Sequence, residues 1–141
     1  MLCYQQIFNT FAREKLKTME RWFSFSTTSE LLRIPAGAVI YVKADGNYST
    51  IRTADGANHV LTLQIGQIEQ YIAGMTESGD RRFIRIGKSL IVNSDFISFI
   101  NVTRQKLVLS DCRTFSHELS ASREALKSLK EAIEKIPIDG K

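Results

Sequence analysis

Residues 83–97, FIRIGKSLIVNSDFI, decide how this chain is read. They divide into an extended run, a short break, a second extended run and a polar stop. In the first run Ile84 and Ile86 share one face, and Arg85 projects from the other. Unbroken alternation would put Lys88 on the buried face with Ile84, Ile86, Leu90 and Val92. An unpaired buried ammonium is costly. A kink at Gly87, the residue most tolerant of unusual backbone angles, throws Lys88 outward instead. Arg85, Lys88 and Ser89 then become donors at an exposed corner pinned by two buried runs.

Outward from this corner the sequence reads as more short strands. Towards the N-terminus, VIYVKA at 39–44 and YSTIRT at 48–53 flank the turn signal Asp45-Gly46-Asn47, which makes 39–53 a hairpin. Ala54-Asp55-Gly56 turns the chain into a returning strand at 57–63. Over 63–72 the period changes: Ile65, Ile68 and Ile72 are spaced as on a helix, with Gly74 as its stop. TESGDRR at 76–82 is a surface loop. Towards the C-terminus, Asn93-Ser94-Asp95 ends the second run. Strands at 96–102 and 105–109 pair about Thr103-Arg104, and Asp111 turns into a strand at 113–118. Residues 122–136 form a helix capped by Ser122, striped by Ala125, Leu126, Leu129 and Ile133, and ended by Pro137.

At the other end, LLRI at 31–34 is a short strand closed by Pro35 and Gly37, after a polar break at 24–29. In residues 1–23, Tyr4, Ile7, Phe8, Phe11, Met19 and Phe23 fall near a helical period. Three readings stay open there: a helix on its own domain, a helix docking onto a partner subunit, or residues ahead of a natural start at Met19. The expected architecture is mainly β (α+β), with eight or nine short antiparallel strands and two or three helices. An expected helical extension at 1–30 precedes the domain at 31–136, and 137–141 is a frayed tail.

The 141 residues suit one domain with a proper core and a small appendage. A 43% hydrophobic and 24% charged composition is that of a soluble globular chain. No run of apolar residues is long enough for a membrane helix, and the N-terminus lacks the pattern of a signal peptide. Two cysteines, Cys3 and Cys112, without a CxxC, fit a reducing cytoplasm. The net charge of +4 is unevenly spread. Residues 31–80 hold three Lys/Arg against five Asp/Glu, and 81–141 hold twelve against seven. A basic C-terminal half favours a polyanionic partner.

Enzymatic readings find little support. There is no GxGxxG or GxxxxGK[ST], and no strand–helix alternation to hold a nucleotide. His59 and His117 lie in separate strands without convergent ligands, so no metal and no cofactor is expected. No serine has a base and an orienter at triad spacing. Asp45 and Asp55 each belong to an Asp-Gly turn, which accounts for them without catalysis. Three loops do carry donors suited to DNA: 47–50, 85–89 and 120–123, the last at a helix N-terminus with free amides for phosphate.

FIRIGKSLIVNSDFI, together with IYVKADGNYSTI at 40–51 and LSASREALKSL at 119–129, resembles the LytTR DNA-binding domain family over about residues 31–130. The resemblance implies three small antiparallel sheets whose loops enter two successive major grooves, with a minor-groove contact between. By motif position it implies base readers at Ser49, Lys88 and Arg123, with Arg85 supporting the second loop. Asn47 and Tyr48 belong to the matching GNY segment, although Asn47 also suits the turn and Tyr48 also suits packing. It further implies a bacterial, cytoplasmic transcription regulator of two-component type, bound to double-stranded promoter DNA as two copies on a direct repeat. The sequence departs from the family in three ways. Too few residues precede the domain for a receiver, Gly87 replaces a larger side chain, and Glu124 replaces a residue that is often basic. The alternative is a protein-interaction module acting through the N-terminal helix. A small-ligand β-domain is the least favoured.

Overall fold

In the computed structural model, which describes residues 21–75 and 82–135, the chain falls into two units, Met1–Val39 and Ile40–Lys141. In the first, β1 (Trp22–Ser26) and β2 (Leu31–Pro35) form an antiparallel ribbon with Phe23 opposite Ile34. The Thr27 N–H donates to the Glu30 carbonyl at 2.8 Å and closes the turn. The helix expected to reach Phe23 is therefore corrected over its last residues, and its remainder at 1–20 lies outside the described residues. WFSFS obeys a period of two: Phe23 and Phe25 are buried while Ser24 and Ser26 take the solvent side. The serines are strand residues, not a break. Trp22 stays exposed and receives the Arg33 guanidinium 4.8 Å from its ring centre.

The second unit is built on a five-stranded sheet ordered β5-β4-β3-β7-β6. Its strands are β3 (Val39–Asp45), β4 (Tyr48–Thr53), β5 (Asn58–Leu61), β6 (Phe83–Ile86) and β7 (Leu90–Asn93). A three-stranded sheet ordered β10-β9-β8 comprises β8 (Ile97–Asn101), β9 (Lys106–Ser110) and β10 (Ser116–Ser120). Helix α1 (Ile65–Met75) buries Ile65, Ile68 and Ile72. Helix α2 (Arg123–Glu134) is capped by the Ser122 hydroxyl, which accepts the Ala125 N–H at 3.1 Å. Counting the β1–β2 ribbon, the described residues form three antiparallel sheets, as the mainly β expectation required.

One core joins these parts of the second unit. Ile40, Ile86, Leu90 and Val92 of the five-stranded sheet meet Leu107 and Leu109 of β9 and Leu126 and Leu129 of α2. Each such buried leucine contributes about 1.5–3 kcal/mol, so α2 is anchored within its first two turns and its N-terminus is fixed in place.

Several boundaries differ from expectation by one to three residues. Helix α1 passes through Gly74 to Met75. Strand β5 stops at Leu61, because the Leu63 carbonyl is drawn to the Ser49 hydroxyl and the Gln64 N–H to the Gln67 side chain. Strand β10 starts at Ser116 and not at 113. The Asp111 carboxylate accepts the N–H groups of Arg113, Thr114 and Phe115, so those donors are unavailable to a ladder until the chain has passed them.

Candidate nucleic-acid interface

The β6–β7 connection is a three-residue loop, since Ile86 pairs with Leu90 across Gly87-Lys88-Ser89. Gly87 has φ +61°, the left-handed turn that ends the alternation, and Lys88 and Ser89 are exposed. The Arg85 side chain runs under the loop. Its Nη2 donates to the Lys88 carbonyl at 2.8 Å and its Nη1 binds the Glu69 carboxylate of α1 at 2.6 Å. Two fixed ends make Arg85 a strut for the loop. Its Nε is buried without a partner among the described residues. Lys88 has its backbone held and its ammonium outside.

The β3–β4 turn is organised differently. Gly46 takes φ +64° and Asn47 is exposed, with its Oδ1 3.5 Å from the Gln64 Nε2 donor. Tyr48 is 51% exposed and Ser49 is 0% exposed. The Ser49 hydroxyl donates to the Leu63 carbonyl at 2.7 Å, tying β4 to the lead-in of α1. A base reader at Ser49 is therefore corrected: the side chain is turned inward and its proton is engaged, because strand alternation that points Tyr48 out points Ser49 in. Asn47 and Tyr48 are the side chains this loop presents.

At the third loop, Arg123 is the first residue of α2 and is exposed, and its Nε reaches the Thr103 carbonyl at 3.4 Å. Glu124 follows in the same turn, where the helix dipole favours an acid and the local positive charge is partly offset.

The three loops form a continuous row. Lys43 of β3 is in register with Leu90 of β7, and the Ala44 N–H donates to the Ser89 carbonyl at 2.8 Å, so the first two loops share one end of the sheet. A cavity of about 550 Å³ lies alongside the contact of β6 with α2, and Gly87 and Arg85 line one side of it while Ser122 and Glu124 line the other. The third loop thus sits next to the second.

Two exposed basic residues in the same neighbourhood escaped the sequence reading. Lys43 lies near the end of β3, opposite Leu90 beside the second loop, and Arg104 lies in the β8–β9 turn bonded to Arg123 through Thr103. Arg104 carried a readable signal, a cation at a hairpin tip. Its closeness to the entrance of α2 depends on tertiary contacts that no local pattern reveals.

Among the described residues no group of His, Cys, Asp and Glu is arranged to hold a metal ion, and no helix is long and apolar enough to cross a membrane.

Exposed donors on neighbouring loops of a small-sheet scaffold are chemically suited to a polyanion such as nucleic acid. The LytTr DNA-binding domain family matches residues 29–134, three quarters of the chain, and the protein belongs to that family. The fold is similar to the LytTr DNA-binding domain of a Bacillus cereus protein named as a methyl-accepting/DNA response regulator. The two share 18% identity with a TM-score of 0.58, over 79% of this chain and 95% of that one. The search of curated proteins finds no match. Membership of a DNA-binding family, not an enzyme family, supports the role of a DNA-binding transcription regulator acting on double-stranded DNA.

Proposed function

We propose that the protein is a sequence-specific regulator that reads successive major grooves of promoter DNA with loop side chains, as two copies on a direct repeat. The observation that supports this reading most directly is the single row made by Asn47-Tyr48, Lys88-Ser89 and Arg123, held by the Ala44–Ser89 hydrogen bond and by the packing of α2 against β6. Lys88 and Arg123 are the base readers, suited to guanine O6 and N7. Tyr48 and Asn47 take the place first expected for Ser49. Arg85 acts through the second loop by holding the Lys88 carbonyl, and Ser89 is a phosphate donor.

The DNA-binding part is 31–136, with 1–30 as an extension and 137–141 as a tail. The protein works in the bacterial cytoplasm as a response-regulator-like switch of gene expression. Repeated half-sites are what the family resemblance implies, and a homodimer is the simplest way to present two copies.

Selection from a random duplex library, with wild type and Lys88→Ala in parallel, tests the reading. Wild type is expected to enrich a repeated half-site and Lys88→Ala to lose or relax it. Enrichment by neither protein would overturn the proposal and turn attention to partner binding through the N-terminal extension.

A further inference from the structure

The β8–β9 turn is held more firmly than a hairpin tip needs to be. The Asn101 side chain accepts the Arg104 N–H at 3.0 Å, and the Gln105 N–H donates to the Val102 carbonyl at 3.2 Å. Gln105 has φ +56°, a backbone conformation uncommon outside glycine. Two further bonds leave the hairpin for the entrance of α2. The Gln105 Nε2 donates to the Ala121 carbonyl at 3.3 Å, and the Arg123 Nε donates to the Thr103 carbonyl at 3.4 Å. Arg104 lies between the two tied residues and is exposed.

Charge adds a second argument. On the same hairpin Lys106 is paired with Glu118 at 3.6 Å, and elsewhere Arg85 is paired with Glu69 and Lys130 with Glu134. Neither Arg104 nor Arg123 has a carboxylate partner among the described residues, although the two cations belong to segments bonded together. Adjacent like charges without a counter-ion suit an external polyanion.

We propose that the β8–β9 turn is a fourth DNA-contacting element, in which Arg104 binds a backbone phosphate flanking the base pair read by Arg123. This rests on the DNA-reading function proposed above. The contact is to phosphate and not to a base edge. The Thr103 carbonyl and the Gln105 side-chain amide are engaged with the entrance of α2, so the turn is held as a flank to the loop that carries Arg123, where a cation meets the duplex backbone beside the base pair being read. Gln105 is a positioning residue that keeps Arg104 and Arg123 in step.

The test is titration of the full chain against its selected duplex and a scrambled duplex, from about 50 to 200 mM salt. Arg104→Ala is expected to weaken binding to both duplexes by the same factor, about three- to tenfold. It should make the dependence of log K on log salt shallower by about 0.9, the value for one phosphate. Arg104→Lys should restore the slope. The ratio of selected to scrambled affinity should stay at the wild-type value in Arg104→Ala and collapse in Arg123→Ala. Wild-type affinity and slope in Arg104→Ala would overturn the proposal, as would a loss confined to the selected duplex, which would mark a base contact. If wild type itself prefers no duplex, the DNA-reading function falls first and this contact with it. Thermal melting of each variant separates these outcomes from misfolding.

Discussion

The β3–β4 and β6–β7 hairpins meet at one end of the same sheet and treat their small polar residues in opposite ways. At β3–β4 the turn leaves the alternation intact, so Tyr48 goes out and Ser49 goes in, where its hydroxyl bonds the Leu63 carbonyl. At β6–β7 Gly87 breaks the alternation, and Lys88, due on the buried face, is delivered to solvent. One hairpin uses a polar side chain to hold the scaffold, and the other uses the scaffold to present a polar side chain. Motif membership does not separate these roles; the phase of the strand does.

Reciprocal substitutions give the largest expected effect. Lys88→Ala should lower discrimination between selected and scrambled duplex by about 1–3 kcal/mol, roughly 5- to 150-fold, with unchanged melting temperature. Ser49→Ala should keep the half-site and instead destabilise the fold by about 0.5–1.5 kcal/mol, because the part-buried hydrogen bond to the Leu63 carbonyl is lost. For a unit of about 100 residues each kcal/mol moves the melting temperature by about 4–8 °C. A Ser49→Ala protein that melts normally but loses its half-site would reverse the assignment and return Ser49 to the interface.

A smaller effect is expected at the kink. A Cβ on Gly87 would meet nothing within 4 Å, so the cost of Gly87→Ala is that of the backbone conformation alone, about 1–2 kcal/mol. Gly87→Asn should cost less, because asparagine enters the left-handed region more readily. If the loop keeps its shape, both variants lose stability in that order and retain the half-site. Loss of specificity without loss of stability would show that the chain had relaxed and moved Lys88.

The features legible in the sequence were those set by short-range physics. The Gly87 kink, the exposed Lys88, the Ser122 cap and the stripe with Leu126 and Leu129 follow from alternation, helical period and capping. The family resemblance supplied the three sheets. What escaped was decided by distant or competing partners. Ser49 follows the strand alternation inward, and its hydroxyl is then engaged by a carbonyl fourteen residues on. Strand β10 starts late because Asp111 takes three amides first. Trp22–Ser26 contains serines that imitate a break until the ribbon pairs them with β2. Arg104 joins the row only through Thr103 and Ala121.

The smallest effect concerns the sheet that carries the third loop. His117 of β10 packs edge-on against Tyr41 at 5.8 Å and stacks on Phe115 at 5.6 Å. Burial, reinforced by the nearby Arg52 charge, lowers its pKa. The folded protein therefore resists a proton that the unfolded chain accepts. Stability from this site is full above the ordinary imidazole pKa of about 6.5 and drains as pH falls below it. Asp55 and Asp111, whose pKa values are lowered by hydrogen bonds, matter only in a more acidic window, below the usual carboxylate range. Melting temperature is thus expected to be flat above pH 7, to decline gently once pH falls below about 6.5, and to decline again below about 4. His117→Asn should flatten the first decline and leave the second. An unchanged first decline in that variant would assign it to another group and leave β10 insensitive to pH.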